Sequence, residues 1–254
     1  MKKLEQRKPI PKTTLSIVIP ALNEEKNIEA AIRKSIRLSE KRFENYEIIA
    51  INDGSMDKTG EIIERMKKEN KHIVAVHHES PWGLGGTYRD GLSKAKYKYF
   101  SLLAGDNEEL EEPLKTLYDN VSIGDADVVL SYTVNSNVRA LDRQIISKLF
   151  TIGMNLLFCL NVPYYSGANI IKTKLLQSLP MRTAGFAYMP SIVVRVAKMG
   201  CVFRKVPMMI QKSGKSNIYK WKNVWSIIKE IITLFIEVNI TKRSKFSKKP
   251  TMLN

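Results

Sequence analysis

Two acidic segments, each closing an apolar run, carry the chemistry that this sequence is equipped to perform. Ala104-Gly105-Asp106-Asn107-Glu108 follows Tyr97, Tyr99, Phe100, Leu102 and Leu103, which read as a buried strand. Carboxylate oxygens at the carboxyl end of a parallel strand can hold a divalent cation, and such a cation can neutralise a diphosphate. Asn52-Asp53-Gly54-Ser55 closes an earlier strand in the same way. There Gly54 permits a sharp turn that leaves the Asp53 carboxylate free to accept hydrogen bonds from a base or ribose. Both segments are also ordinary turn chemistry, and an Asx-turn at Asp53 is the plainer reading. Asn23 in Pro20-Ala21-Leu22-Asn23-Glu24 is ambiguous in the same sense, because it can be a helix N-cap. Gly83-Leu84-Gly85-Gly86 can bring backbone close to a phosphate, although a glycine cluster alone is a weak signal. His77 and His78 have no partner at metal-ligand spacing and read as satisfied or exposed side chains.

These segments need a scaffold, and the first half of the chain supplies one. Leu15–Ile19, Tyr46–Ile51, Ile73–Val76, the run before Asp106 and Asp127–Leu130 read as strands. A helix is expected from about Asn23, with Ile28, Ile32 and Ile36 on one stripe and Glu24 and Glu25 in its first turn, where the dipole favours acids. Ile62, Ile63 and Met66 mark a second helix, and Gly83–Ala95 a third. Strands separated by single helices imply an α/β fold with a mostly parallel sheet flanked by helices. In such sheets ligands collect at the carboxyl ends of the strands, where Asn23, Asp53, Gly83–Gly86 and Asp106 all fall.

The second half is more apolar. Ile145 to Leu160 form a stretch interrupted by Lys148 and Asn155, and Trp221 to Ile240 form another, with Trp221 and Trp225 beside lysines. Tryptophan and lysine flanking an aliphatic face suit a helix lying in a membrane interface; two core helices packed on the sheet are the alternative. No run is long and apolar enough to span a bilayer. The 254 residues carry a formal charge of +16, from 41 Lys and Arg against 25 Asp and Glu. That excess points to a polyanionic partner, either an anionic membrane surface or a phosphorylated substrate. Nucleic acid is not expected, since no aromatics interleave with a basic strand face. The charge is densest at the two ends, both expected to be mobile tails. Cys159 and Cys201 lie in apolar surroundings and read as buried free thiols of a reducing compartment.

In order and content these segments resemble the glycosyltransferase family 2 proteins of the GT-A fold, and among them the polyprenol-phosphate glycosyltransferases, such as dolichol-phosphate mannosyltransferase. The matching stretches are Leu15–Glu25, Asn52–Thr59 and Gly83 through Asp106, followed by Ser166-Gly167, Gly185-Phe186 and Gly214-Lys215-Ser216. The resemblance implies a GT-A domain over 14–217, with a nucleotide-sugar half (14–136) and an acceptor half (137–217) that contains an interfacial helix at about 142–160. A basic tail (1–13) precedes this domain, and an amphipathic helix and basic tail (218–254) follow it. It implies inverting transfer from a nucleotide-diphosphate sugar to a polyprenol phosphate, with a glycan or another lipid as alternative acceptor. A protein that binds nucleotide sugar without turnover is a further alternative. Pro20, Ala21, Asn23, Glu24, Asp53, Gly85 and Gly86 would hold the nucleotide. Asp106 matches the second acid of the family's Asp-x-Asp metal motif, while Ala104 replaces the first; Asp106 and Glu108 would then share Mg2+ or Mn2+. Arg139, Arg143 and Lys148, with Lys212, Lys215 and Ser216, would meet the acceptor phosphate. Asp106 and Arg143 are the expected catalytic pair. A phosphate acceptor is already anionic and needs cations rather than a general base. The expected setting is the cytoplasmic face of a membrane, held peripherally or through a membrane-spanning partner subunit.

Overall fold

Apolar runs in the first half form strands buried on both faces, as parallel strands between helical layers must be. A computed structural model of the chain describes residues 13–180, 187–211 and 221–253. The strands β1 (Thr14–Ala21), β2 (Asn45–Asp53), β3 (Ile73–His78) and β4 (Tyr99–Leu102) alternate with α1 (Ile28–Glu40), α2 (Thr59–Glu69) and α3 (Gly83–Lys94). After β4 come α4 (Glu111–Ser122), β5 (Val128–Thr133), α5 (Leu141–Phe158), β6 (Ile170–Lys172), the short α6 (Thr173–Gln177) and α7 (Tyr188–Lys198). The chain closes with β7 (Val202–Met208), α8 (Trp221–Ile236) and β8 (Thr251–Leu253). The described strands make one eight-stranded sheet in the order β3-β2-β1-β4-β6-β5-β7-β8. Only β6 runs against its neighbours, so β5 and β7 point the same way as β1, β2 and β4.

Alternation along β1 divides the interior. Ile17 and Ile19 face a core with Ile32, Ile63, Leu114 and Leu117, from the layer of α1, α2 and α4. Val18 faces the opposite core, with Leu92, Met154, Phe158, Val193 and Leu234 from α3, α5, α7 and α8.

Several expectations need correction. The C-terminal basic stretch is not a loose tail: Phe246 is buried, Lys248 N donates to Lys198 O, and β8 pairs in parallel with β7. Cys201 is buried, but Cys159 is exposed, because it caps α5 in a left-handed conformation at the helix end. The first helix begins at Ile28 rather than near Asn23, whose own backbone is left-handed (φ 57°). Of the helices expected to meet a membrane, α5 buries only Met154 and Phe158, leaving Leu149, Ile152 and Leu156 exposed. Phe158 packs near Phe235 of α8, with ring centroids 6.2 Å apart, and α8 exposes Trp225 and Ile232. Among the described residues no helix is long and apolar enough to cross a membrane.

Candidate functional site

The carboxyl ends of β1, β2 and β4 meet the start of α3 around one cleft of about 170 Å3. Pro20, Ala21, Glu24, Asp53, Gly105 and Asp106 line it, together with Leu22, Leu84 and Ala104. Segments from four separate stretches of sequence therefore share a single concavity. Close backbone approach makes this possible. A Cβ at Gly105 would stand 2.8 Å from Pro20 O, which instead accepts the Gly105 N–H at 3.1 Å. This contact seats the Asp106 loop against the end of β1.

Asp53 is not the open carboxylate that its turn suggested. It is 4% exposed, and its Oδ1 accepts the Trp82 N–H at 2.9 Å while Oδ2 accepts the Gly83 N–H at 3.0 Å. His78 Nδ1 lies 2.8 Å from Oδ1. An anion at the first N–H groups of a helix satisfies donors that have no partner within the helix. Asp53 thus fixes the glycine-rich start of α3 beside the cleft. His78, which the sequence marked as satisfied or exposed, is satisfied, by partners that β3 gave no sign of. Its ring is buried, stacks on Trp82 at 4.1 Å, and presents Nε2 to Asp90 at 3.2 Å. Burial alone would raise the Asp90 carboxyl, but hydrogen bonds from Lys94 and His78 outweigh it and hold it low.

Asn23 is a latch between loops rather than an N-cap. Its Oδ1 accepts the Met56 N–H at 3.0 Å, and its own N–H donates to Ser55 Oγ at 2.9 Å. Glu24 N donates to Thr59 Oγ1, and Glu25 N to Asp57 Oδ2. The two loops that follow β1 and β2 are locked together, so Asn23 shapes the rim without lining the cleft. Gly85 and Gly86 are buried in the first turn of α3 and do not line it either.

Asp106 is half-buried, and its Oδ1 accepts the Glu108 N–H at 3.0 Å. Glu108 is exposed and outside the lining. Among the described residues no group of three or more acidic, His or Cys side chains is arranged to hold a metal. Mg2+ is commonly held by one or two carboxylates, with substrate phosphates and water completing its shell. Asp106 fits that arrangement, and Asn107 Oδ1 next to it is buried without a hydrogen-bond partner. Lys34, which the sequence reading did not single out, lies behind this loop and donates to Glu109 O at 2.5 Å. Burial lowers its pKa, opposed by Glu109, Glu111 and Asp106. Burial likewise raises the Glu109 carboxyl, whose Oε1 accepts the Ala104 N–H and whose Oε2 has no partner. These two groups fix the loop from within.

The expected acceptor residues lie on the same edge of the sheet but outside this cleft. Because β5 runs parallel to β4, its end delivers Arg139 and the first turn of α5 to the carboxyl edge. Arg139 Nη1 donates to Tyr164 Oη at 3.3 Å, and its Nε is buried without a partner. Arg143 is half-buried and Lys148 exposed on α5. Asn135 clamps Ile210 through two 2.9 Å hydrogen bonds, holding the end of β7 at this edge. Lys212, Lys215 and Ser216, like Gly185-Phe186, lie outside the described residues.

The mostly parallel sheet with one reversed strand, and a cleft at the carboxyl ends of its first strands, is a GT-A architecture. The model of glycosyl transferase family 2 matches residues 16–179, and this chain belongs to that family. It is 30% identical over 121 residues to the glycosyltransferase GlyG of Streptococcus pneumoniae, covering 48% of this chain and 39% of GlyG. It is 26% identical over 163 residues to the dolichyl-phosphate beta-glucosyltransferase ALG5D of Trichomonas vaginalis, covering 59% of this chain and 49% of that protein. The chain thus spans about half or less of these relatives. In fold it is similar to glucosyl-3-phosphoglycerate synthase of Mycobacterium tuberculosis in complex with Mg2+ and uridine diphosphate, with a TM-score of 0.63 and 18% identity over 89% of this chain and 79% of that one.

Proposed function

We propose that this chain is an inverting glycosyltransferase that moves a sugar from a nucleotide-diphosphate sugar to a polyprenol phosphate. The observation that carries this reading is the shared cleft, in which Asp106, the end of β1 and the start of α3 surround one space. In the transfer, an acceptor phosphate oxygen attacks the anomeric carbon from the face opposite the leaving group. The new carbon–oxygen bond forms as the bond to the β-phosphate breaks, and the nucleoside diphosphate departs with the electron pair. A divalent cation would neutralise the charge on that leaving group. Asp106 would hold it, with Asn107 as a nearby oxygen, in the absence of an acid at Ala104. Asp53 acts by fixing the N–H groups of Trp82 and Gly83, so that the start of α3 stays open to the donor.

The acceptor assignment is supported by chemistry and by the surface. Arg139, Arg143 and Lys148 supply cations along the carboxyl edge, and a phosphate acceptor needs no base. Beside them α5 exposes Leu149, Ile152 and Leu156, and α8 exposes Trp225 and Ile232, an apolar face suited to lying in a lipid interface. We place the protein peripherally at a cytoplasmic membrane face, a setting that suits free thiols. The dolichyl-phosphate relative favours this acceptor, whereas the phosphoglycerate-linked fold neighbour favours a soluble one.

The test is transfer of labelled sugar from uridine- and guanosine-diphosphate donors, with Mn2+ present, to a short polyprenyl phosphate or to its dephosphorylated alcohol. Labelled product from the phosphate alone is expected. Product with the alcohol, or only with a soluble acceptor, would move the enzyme to another acceptor class.

A further inference from the structure

A concavity that the donor cleft does not account for lies at the opposite, amino-terminal edge of the sheet. It measures about 510 Å3 and lies between the loop before β4 and the end of β6. Lys96, Lys98, Lys172 and Lys174 line it with Thr173, and no carboxylate does. Two of these lysines are offset by Glu47 and Asp127, and the other two leave the hollow net positive, a potential that favours an anion. Lys96 Nζ is 3.3 Å from the buried Glu47, whose Oε1 also accepts the Lys96 N–H at 3.0 Å, and Lys172 Nζ is 2.7 Å from Asp127. The other two, Lys98 and Lys174, are exposed, and neither pairs with a described acid.

A second, independent observation points inward. Thr173 is 3% exposed, and its Oγ1 is buried without a hydrogen-bond partner. A hydroxyl left without a bond in a basic hollow is a donor available to an anion.

We propose that this lysine-lined cavity is a second binding site, for a phosphate-bearing anion, separate from the donor cleft and one strand length away from it. Its volume suits a small ligand or a headgroup rather than a protein segment. Lysines act on phosphate as mobile point charges, and here two are held by acids while Lys98, over the Tyr99 ring at 5.4 Å, and Lys174 have no acidic partner among the described residues. The phosphate can come from a soluble compound or from an anionic lipid headgroup.

The experiment compares the full chain with Lys98→Glu/Lys174→Glu. Isothermal titration uses inorganic tripolyphosphate with EDTA present, so that metal-assisted binding in the donor cleft does not contribute. Sedimentation uses vesicles of phosphatidylglycerol and phosphatidylcholine. The double variant is expected to keep its melting temperature and to lose about tenfold or more in tripolyphosphate affinity. Thr173→Val is expected to weaken binding by a smaller factor. If vesicle sedimentation falls with it, the phosphate belongs to a headgroup; if sedimentation is unchanged, the ligand is soluble. Should the charge reversal fail to fold, Lys98→Gln/Lys174→Gln serves in its place. An unbound wild type, or equal affinity in wild type and variant, overturns the proposal.

Discussion

Asp53 and Asp106 line the same cleft, yet their bonding assigns them different parts. Asp53 is saturated by two backbone N–H groups and a buried imidazole, whereas Asp106 has only one oxygen committed, to Glu108 N. Asp106→Asn should therefore abolish the metal-dependent thermal stabilisation by nucleotide sugar and lower turnover by about two orders of magnitude or more, with little change in the melting temperature of the free protein. Asp53→Ala should behave differently. It strands His78 and two N–H groups, and should destabilise the fold by about 2–4 kcal/mol in chemical denaturation as well as weaken nucleotide binding. A variant that loses affinity at unchanged stability would return Asp53 to the role of a direct contact. The sequence showed where these two residues would lie, because strand ends are legible from apolar runs. It did not show what Asp53 would bond to, since the Trp82 and Gly83 N–H groups reach it across the fold. The partners of His78 and the position of Lys34 were hidden for the same reason.

The parallel strands of the first half were legible because each is a continuous apolar run before a polar turn. The later strands were not. β6 and β8 each contain three residues, and β7 alternates around Arg204, Lys205 and Pro207. Their pairing comes from neighbours distant in sequence and leaves no local pattern. The helix α5 was legible in extent because it is apolar along nearly its whole length, with Leu149 and Leu156 two turns apart on one side. Those side chains are 62% and 74% exposed, so replacing them removes no packing. Leu149→Glu/Leu156→Glu should leave the melting temperature within about 1 kcal/mol equivalent of wild type and sharply reduce sedimentation with anionic vesicles. Undiminished sedimentation would detach α5 from the membrane reading and leave the basic surfaces to account for it.

Besides Phe246 and β8, a buried ion pair ties the C-terminal segment to the fold. Arg195 of α7 and Glu237, in the π-helical turn after α8, meet at 2.8 Å with both side chains almost fully buried. Burial alone would raise the Glu237 carboxyl, but hydrogen bonds and charge from Arg195 and Lys242 outweigh it and hold it low. A depressed carboxyl contributes stability above its unfolded value and loses it as pH falls through the folded value. Melting of the wild type should therefore drop as pH falls below the ordinary carboxylate range. Glu237→Gln should cost about 3–5 kcal/mol at neutral pH, by leaving Arg195 buried and unpaired, and should flatten that acid limb. The proposed transfer takes place in the cleft at the carboxyl ends of β1, β2 and β4. The most direct measurement is the anomalous diffraction of manganese in crystals grown with uridine or guanosine diphosphate. A manganese peak beside Asp106, with the diphosphate between the end of β1 and the start of α3, is the expected result. Nucleotide bound away from Asp106 in the presence of manganese would contradict it.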